Sequence, residues 1–484
     1  MRLWSLLTIV SVLAAHPARG EEKVFRAGAA TSNITPPLGQ LIIGNFGTPV
    51  ATHVHDELHA RCVVLDDGTN ILAFAICDNL GIGRPVLDEA RRLVREEIGI
   101  PEAHLLLAST HTHSATSAGW ISLPDPGKEM TDYHRFVARR IADGIRRAWN
   151  NREPAEIGWG SVDVPNQVFN RRWLFQPGSK PPLNPFGEQD TAMMNPGYNR
   201  PGLSEPAGPT DPQVSFVSIR STSGRPIALM ANYSLHYIGG VPQGHISADY
   251  FAAFARHIAR KLDAERLEPP FVGIMTNGTS GDCNNVDYRS KPTAAMPPYA
   301  KIEAVAGEVA DAVFGALPSI TYTRQAPLAA ARKDLTLANR IPTPAQVEYA
   351  KSMLAKPEGA KPVHGNERAY ATRVLSLVDA PATVDVPLQA VRIGDLAIAA
   401  IPFETFAETG LAIKKASPFP RTFTIELAGG SYGYLPTPRQ HALGGYETWL
   451  GTNRVEVAAS DKIEATILDL LRSLKPAPGG AAKP

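Results

Sequence analysis

The chain has 484 residues, 44% hydrophobic and 20% charged, the makeup of an ordinary globular protein with enough length for a large core in one big domain or two fused ones. Its 48 Lys and Arg against 47 Asp and Glu leave a net charge of +1, so no overall field exists to hold a polyanion or an anionic membrane. Nucleic acid is excluded as an expected partner, and no protein partner is evident.

Arg2, the apolar run Leu3 to Ala15 and Ala18-Arg19-Gly20 read as a signal peptide over residues 1–20, cut after Gly20. The run is shorter than the about 20 residues needed to cross a bilayer, and no later segment is apolar for long enough, so no transmembrane segment is expected. The mature chain is expected to be secreted or periplasmic. Phe25 to Pro37 then predicts a strand and a turn, and Glu57 to Asp78 a hairpin around Asp66-Asp67-Gly68. Cys62 and Cys77 lie on the two arms, where that turn does not set them opposite each other. They are expected as small buried hydrophobes without a bridge.

A helix is predicted from Val86 to Ile98, and the apolar run His104 to Ala108 leads straight into Thr110-His-Thr-His-Ser. Strand followed by loop is where α/β enzymes carry their chemistry. A second helix covers Tyr133 to Trp149. Gln176 to Pro212, crowded with Pro, Gly and Asn, has no helical or alternating period and is expected to form a binding wall. Strands follow at Val214 to Ile219 and Ile227 to Ser234, then a helix to Leu262 with Ser247 as N-cap and Asp249 in its first turn. Phe271 to Thr276 reads as a short strand. Helices at Ala304 to Phe314 and Pro344 to Ala355 precede strands in Val384 to Ile401 and Thr422 to Leu427, and residues 475–484 read as a disordered tail. The expected fold is α/β (α+β): stacked mixed β-sheets flanked by helices, one large catalytic domain over residues 21–474.

Four places carry chemistry. His111 and His113, two apart in extended backbone, put both imidazoles on one side, and neutral imidazole is a common zinc ligand; the same spacing also suits a polar surface pair. His236, at a strand end, reads as a third nitrogen ligand or a hydrogen-bonded core histidine. Glu404 follows an apolar strand, where a buried carboxylate needs a cation, a metal or a helix N-terminus. Gly430-Ser-Tyr-Gly-Tyr-Leu-Pro-Thr and Gly445-Tyr-Glu bring phenols onto glycine loops that can approach a ligand closely.

Ala27-Gly-Ala-Ala-Thr-Ser-Asn-Ile-Thr-Pro-Pro, Ser109-Thr-His-Thr-His-Ser, Asn170-Arg171, Gly281-Asp282, Pro402-Phe-Glu, and Tyr432-Gly-Tyr with Tyr446-Glu447 occur in an order that resembles the neutral/alkaline ceramidase family from about Phe25 to about Leu474. Those proteins are zinc amidases that release a fatty acid from ceramide. The resemblance implies Zn2+ held by His111, His236, Glu404 and Tyr434, with His113 as catalytic histidine and Arg171 and Tyr446 holding the substrate and its developing oxyanion. Where the family has Gly-Asp-Val-Ser-Pro-Asn, this chain has Gly281-Asp-Cys-Asn-Asn. Asn284 therefore stands in the position of an active-site serine, with Asp282 and Cys283 beside it on the substrate side; Cys283 reads as a buried small residue or a substitute nucleophile. The expected partner is a small-molecule or lipid substrate, an N-acyl amide cleaved by zinc-activated water. A zinc hydrolase of another acyl or carbohydrate substrate, and a catalytically silent binding protein, are the other two readings. An apolar pocket favours the first and a polar open cleft the carbohydrate.

Overall fold

The alternating runs either side of Asp67-Gly68 do form a hairpin in the computed structural model: His59–Asp66 pairs antiparallel with Ile71–Cys77. Gly68, at φ 77°, takes a left-handed turn position that a side chain adopts only at a cost. The structure describes residues 24–44, 47–119, 129–292, 294–357 and 359–476. The signal-peptide reading and all but two residues of the tail lie outside them.

Eight strands form one sheet, in the order Val272–Asn277, Pro226–Tyr233, Gln213–Ser221, Glu153–Asp163, Arg26–Asn33, His59–Asp66, Ile71–Cys77 and Leu105–Ser109. Only two residue pairs, Arg26 with Pro154 and Ala27 with Glu153, join its two halves. A second sheet runs Leu328–Ala338, Thr383–Ile393, Leu396–Ile401, Arg421–Glu426. The two sheets share a core: Phe74, Leu106, Ile219 and Ile274 of the first pack in one cluster with Val391, Ile398 and Phe423 of the second. Each such side chain, fully buried, stabilises the fold by about 1.5–3 kcal/mol.

Helices cover the outer faces. Arg84–Ile98 and Asp132–Asn150 bury Leu87, Val94 and Ile141 on one half of the large sheet. Asp249–Lys261 and Ala300–Ala316 bury Phe251, Phe254 and Val309 on the other. Ala407–Ala416 and Ala459–Ser473 bury Ile413, Ile463 and Ile467 on the second sheet. Stacked mixed sheets flanked by helices are the expected class. Among the described residues no helix is long and apolar enough to cross a membrane.

Cys62 stands opposite Ala75 and Cys77 opposite Ala60, and all three cysteines are free and buried. Two expectations change. The helix expected from Ser247 begins at Asp249, with Ala248 at its N-cap; the Ser247 hydroxyl accepts the Asp249 N–H at 3.1 Å from one residue further out. The segment Gln176 to Pro212 is not wholly irregular: Ala192–Met194 and Leu203–Pro206 flank Arg172–Phe175 as a three-stranded sheet, which fixes it as a wall.

Candidate functional site

Five strands with a parallel neighbour deliver the site. Leu105–Ser109 ends before His111, Pro226–Tyr233 before His236, Val272–Asn277 before Ser280, Leu396–Ile401 before Glu404 and Arg421–Glu426 before Tyr434. The sheets are stitched together there: the Ser109 N–H donates to Leu427 O, and the Gly429 N–H to Leu107 O. His111 sits at φ 74°, so its pair with His113 is not held in the extended backbone expected for it; the left-handed setting is strained for a residue with a side chain.

His111 Nδ1 lies 2.7 Å from Leu80 O and His236 Nδ1 lies 3.0 Å from Ser280 O, so each ring spends its N–H on a backbone carbonyl and turns its Nε2 lone pair inward. The two Nε2 atoms are 3.1 Å apart, and His113 Nε2 is 3.1 Å from His111 Nε2. Glu404 Oε2 stands 3.2 Å from His111 Nε2 and 3.8 Å from His236 Nε2. That oxygen is buried and has no hydrogen bond. Lone pairs facing one another beside a buried carboxylate repel unless a cation lies between them. Tetrahedral zinc, with ligands at about 2.0–2.1 Å, sets neighbouring ligand atoms about 3.3 Å apart, close to the separations here. The residues present therefore fit zinc. Burial pushes the His113 and His236 imidazoles well below the usual histidine range, and the nearby His111 and Arg171 add to it.

Tyr434 reaches the same point because Glu404–Thr405 and Tyr434–Leu435 pair as parallel neighbours. Its hydroxyl is hydrogen-bonded to Glu404 and also accepts from Arg171 Nη2 at 3.0 Å. Arg171 Nε donates to Glu447 Oε1 at 3.0 Å, and Arg172 Nη1 to the other oxygen at 2.6 Å. Tyr446 packs edge-on to Tyr434 at 5.8 Å, its phenol pushed up to about 12 by burial and then by the charge of Glu404. His111, His113, His236, Glu404, Tyr434, Arg171 and Tyr446 thus come together from segments more than 300 residues apart.

Asn284, Cys283 and Asp282 form the edge of this constellation. Asp282 is fully buried: Oδ1 accepts the Ala407 N–H at 2.9 Å and Oδ2 the Asn170 amide at 2.7 Å. Cys283 is also fully buried, and burial raises its thiol well above the ordinary range. Asn284 donates to Asn195 Oδ1 at 3.0 Å and to the Tyr288 hydroxyl at 3.1 Å.

Sequence reasoning missed two supporting residues. Glu426, wholly buried, accepts from Asn277 Nδ2 (2.9 Å), Ser280 Oγ (2.7 Å), Ser280 N–H (3.2 Å) and Thr405 N–H (2.8 Å). It thereby fixes both the loop whose carbonyl orients His236 and the strand that carries Glu404. Tyr237 stacks on His113 with ring centres 3.7 Å apart. A charged residue ending an apolar strand, and an aromatic next to His236, were the available signals.

A cavity of about 290 Å³ opens beside Tyr446. Phe175, Leu183, Met193, Met194 and Trp449 make it apolar, and Asn195 lies on its wall.

No protein-family model matches the chain, and the comparison with curated protein sequences finds no match. The comparison of structures does find matches. The neutral ceramidase from Pseudomonas aeruginosa superposes with a TM-score of 0.66 over 96% of this chain and 77% of that one, at 17% identity. A ceramidase complexed with C2 gives a TM-score of 0.66 over 95% and 77%, also at 17% identity. The chain has the neutral ceramidase fold. The likeness in fold extends over nearly the whole chain, in a divergent sequence.

Proposed function

We propose that this ceramidase-fold protein is an exported zinc-dependent hydrolase that cleaves an N-acyl amide, a ceramide-like lipid or a shorter relative. The observation that carries the reading is the cluster of three imidazole Nε2 atoms, with a Glu404 oxygen that has no hydrogen-bond donor 3.2 Å and 3.8 Å from two of them. His111, His236, Glu404 and Tyr434 are the ligands it assigns. When bound, zinc supplies Lewis-acid polarisation of a carbonyl and acidifies a water to a pKa of about 7.

The chain's own groups account for the rest. Arg171 is held by Glu447 and Tyr434, while no protein acceptor among the described residues takes its Nη1. With the Tyr446 hydroxyl, it is set to donate to a carbonyl oxygen as that oxygen gains charge, a contribution of several kcal/mol in a site that excludes water, typically about 3–4 per donor. His113, kept neutral by burial, is available to accept a proton and return it to the leaving amine. Asn284 offers no nucleophile, and water activated at a metal needs none from the chain.

The apolar cavity beside Tyr446 favours an acyl or alkyl chain over a sugar. The test pairs the metal content of the purified protein with fatty-acid release from a short-chain fluorescent ceramide, for the wild type and His111→Ala. One zinc per chain and turnover lost in the variant is the expected result. Zinc without turnover rejects ceramide as the substrate, and absence of bound metal rejects the mechanism.

A further inference from the structure

We propose that His53 and His245 form a second metal site, at the surface and outside the buried cluster, for a divalent transition cation of the copper, nickel and zinc class. The inference stands on this pair alone and does not depend on the amide-hydrolase reading.

Two short strands place the pair. His53–Val54 and His245–Ile246 run as parallel neighbours with His53 opposite His245, so both side chains leave the same face of the ribbon. Their ring centres are 4.5 Å apart, the separation also found between His111 and His236 in the buried cluster. His53 is exposed, and among the described residues its ring has no hydrogen-bond partner. His245 is half-buried. Desolvation, and then the neighbouring His53 and His55, hold its imidazole below the usual histidine range, so at neutral pH it keeps the uncharged form that binds a metal.

The His245 ring is oriented from behind. Its Nδ1 lies 2.6 Å from the Tyr299 hydroxyl, and His55 stacks on the Tyr299 ring with centres 3.6 Å apart. Tyr299 takes a left-handed backbone, φ 64°, just before the helix Ala300–Ala316, a strained setting that needs a reason. With Nδ1–H donated to the phenol oxygen, Nε2 of His245 carries the lone pair and is the ligand atom. Leu80 O and Ser280 O fix His111 and His236 in the same way.

Two neutral imidazoles, with the other positions left to water, suit copper, nickel and zinc and not the oxygen-seeking magnesium or calcium. The carboxylate of Asp56 is already taken by Arg256 and the Ser247 hydroxyl, and Glu303 also pairs with Arg256, so neither a hard ligand nor an unmatched cation is supplied from that side. The strand that carries His245 continues into Ser247, whose N–H donates to Ser114 O and whose carbonyl accepts from the Thr112 hydroxyl at 2.6 Å. An ion joining His53 to His245 therefore clamps a ribbon bonded to the segment of His111 and His113.

The experiment titrates nickel into tag-free protein whose buried cluster has first been loaded with zinc, and measures bound nickel by equilibrium dialysis. Wild type is expected to take up one nickel per chain, and His53→Ala and His245→Ala each to weaken it at least tenfold. Tyr299→Phe, which removes the oxygen behind His245, weakens it about ten- to a hundredfold. His257→Ala, a histidine occupied by Glu303, leaves it unchanged. With Cu2+ in place of nickel, electron paramagnetic resonance shows coupling to two imidazole nitrogens in wild type and to one in either ligand variant. Hydrogen exchange at Ser247 slows on adding nickel to wild type and not to His53→Ala. Absence of a nickel ion in wild type, uptake unchanged in both ligand variants, or an equal loss in His257→Ala overturns the site; unchanged exchange in nickel-bound wild type overturns the clamp.

Discussion

Glu426→Gln tests whether the buried carboxylate behind the histidines is there to hold them. Its four partners are all donors as placed: two backbone N–H groups on Oε2, and Asn277 Nδ2 and Ser280 Oγ on Oε1. Burial raises the Glu426 carboxyl well above the usual carboxylate range, yet all four partners as placed donate to it, and only the ionised group satisfies every one; a glutamine has one oxygen. In its cheaper orientation the new amide nitrogen faces Ser280 Oγ, whose hydroxyl can rotate to accept, and Asn277 Nδ2 is left without a partner. One orphaned buried donor costs about 1–3 kcal/mol, well inside the about 5–15 kcal/mol by which folded proteins are stable, so the variant folds. The turned Ser280 hydroxyl lies 3.2 Å from His236 Nδ1, and the Thr405 N–H adjoins Glu404, so the perturbation reaches two of the proposed ligands. Loss of such outer-shell partners weakens metal binding by about ten- to a hundredfold. Competition with a calibrated chelator gives the zinc dissociation constant, and urea unfolding gives the stability. A variant that loses stability yet binds zinc within twofold of wild type refutes the positioning role.

Gly281→Ala acts at the same point from the backbone side. A Cβ at position 281 would lie 2.5 Å from Glu404 O, so the Glu404 strand must move, and zinc affinity is expected to fall at least tenfold, read by the same competition. Asp282 is one of the buried carboxyls, with Asp249, that make stability depend on pH. Burial raises its carboxyl to about 6 from the ordinary value near 4, so the folded state holds the proton more tightly than the unfolded chain does. Its contribution is favourable at low pH and is lost as pH rises from about 4 to 6, by up to about 3 kcal/mol. Asp282→Asn removes this term, so the stability of the variant relative to wild type should rise over that range in urea unfolding; a flat difference rejects the assignment. Met194→Asp puts a charge on the apolar wall. It should lower kcat/KM for an acyl amide about tenfold or more while zinc content stays at one per chain.

Local signals carried the fold where one pattern sufficed. The hairpin at Asp67-Gly68 and the helices Arg84–Ile98 and Asp132–Asn150 follow from alternation, a glycine turn and an amphipathic period, and their limits differ from expectation by two residues or fewer. What escaped lacked such a period or was masked by polar residues. Glu367–Ser376 and Ala407–Ala416 are ten residues each, with apolar stripes too short to stand out. Leu328–Ala338 carries Arg, Lys and Asp along a strand that has a polar outer face. The helix at Asp249 starts two residues past its serine because that serine bonds the Asp249 N–H itself, and not a group in the first turn.

The site divides along a different line. A histidine announces its residue type, and His111, His236 and Glu404 could be named as candidates from the sequence together with a family resemblance. The groups that orient them do so through backbone atoms, which no side-chain motif records: Leu80 O for His111 and Ser280 O for His236. Glu426 works through four donors, two of them backbone, from segments about 20 and about 150 residues away in sequence. The same reasoning bears on Asn284. Read as a replaced serine, it suggests a lost function; read with Val286, Asn195 and Tyr288 around it, it is the fixed end of a hydrogen-bond relay that reaches the cavity. A replaced residue is therefore judged by what the new side chain holds, and here it holds Asn195 on the cavity wall.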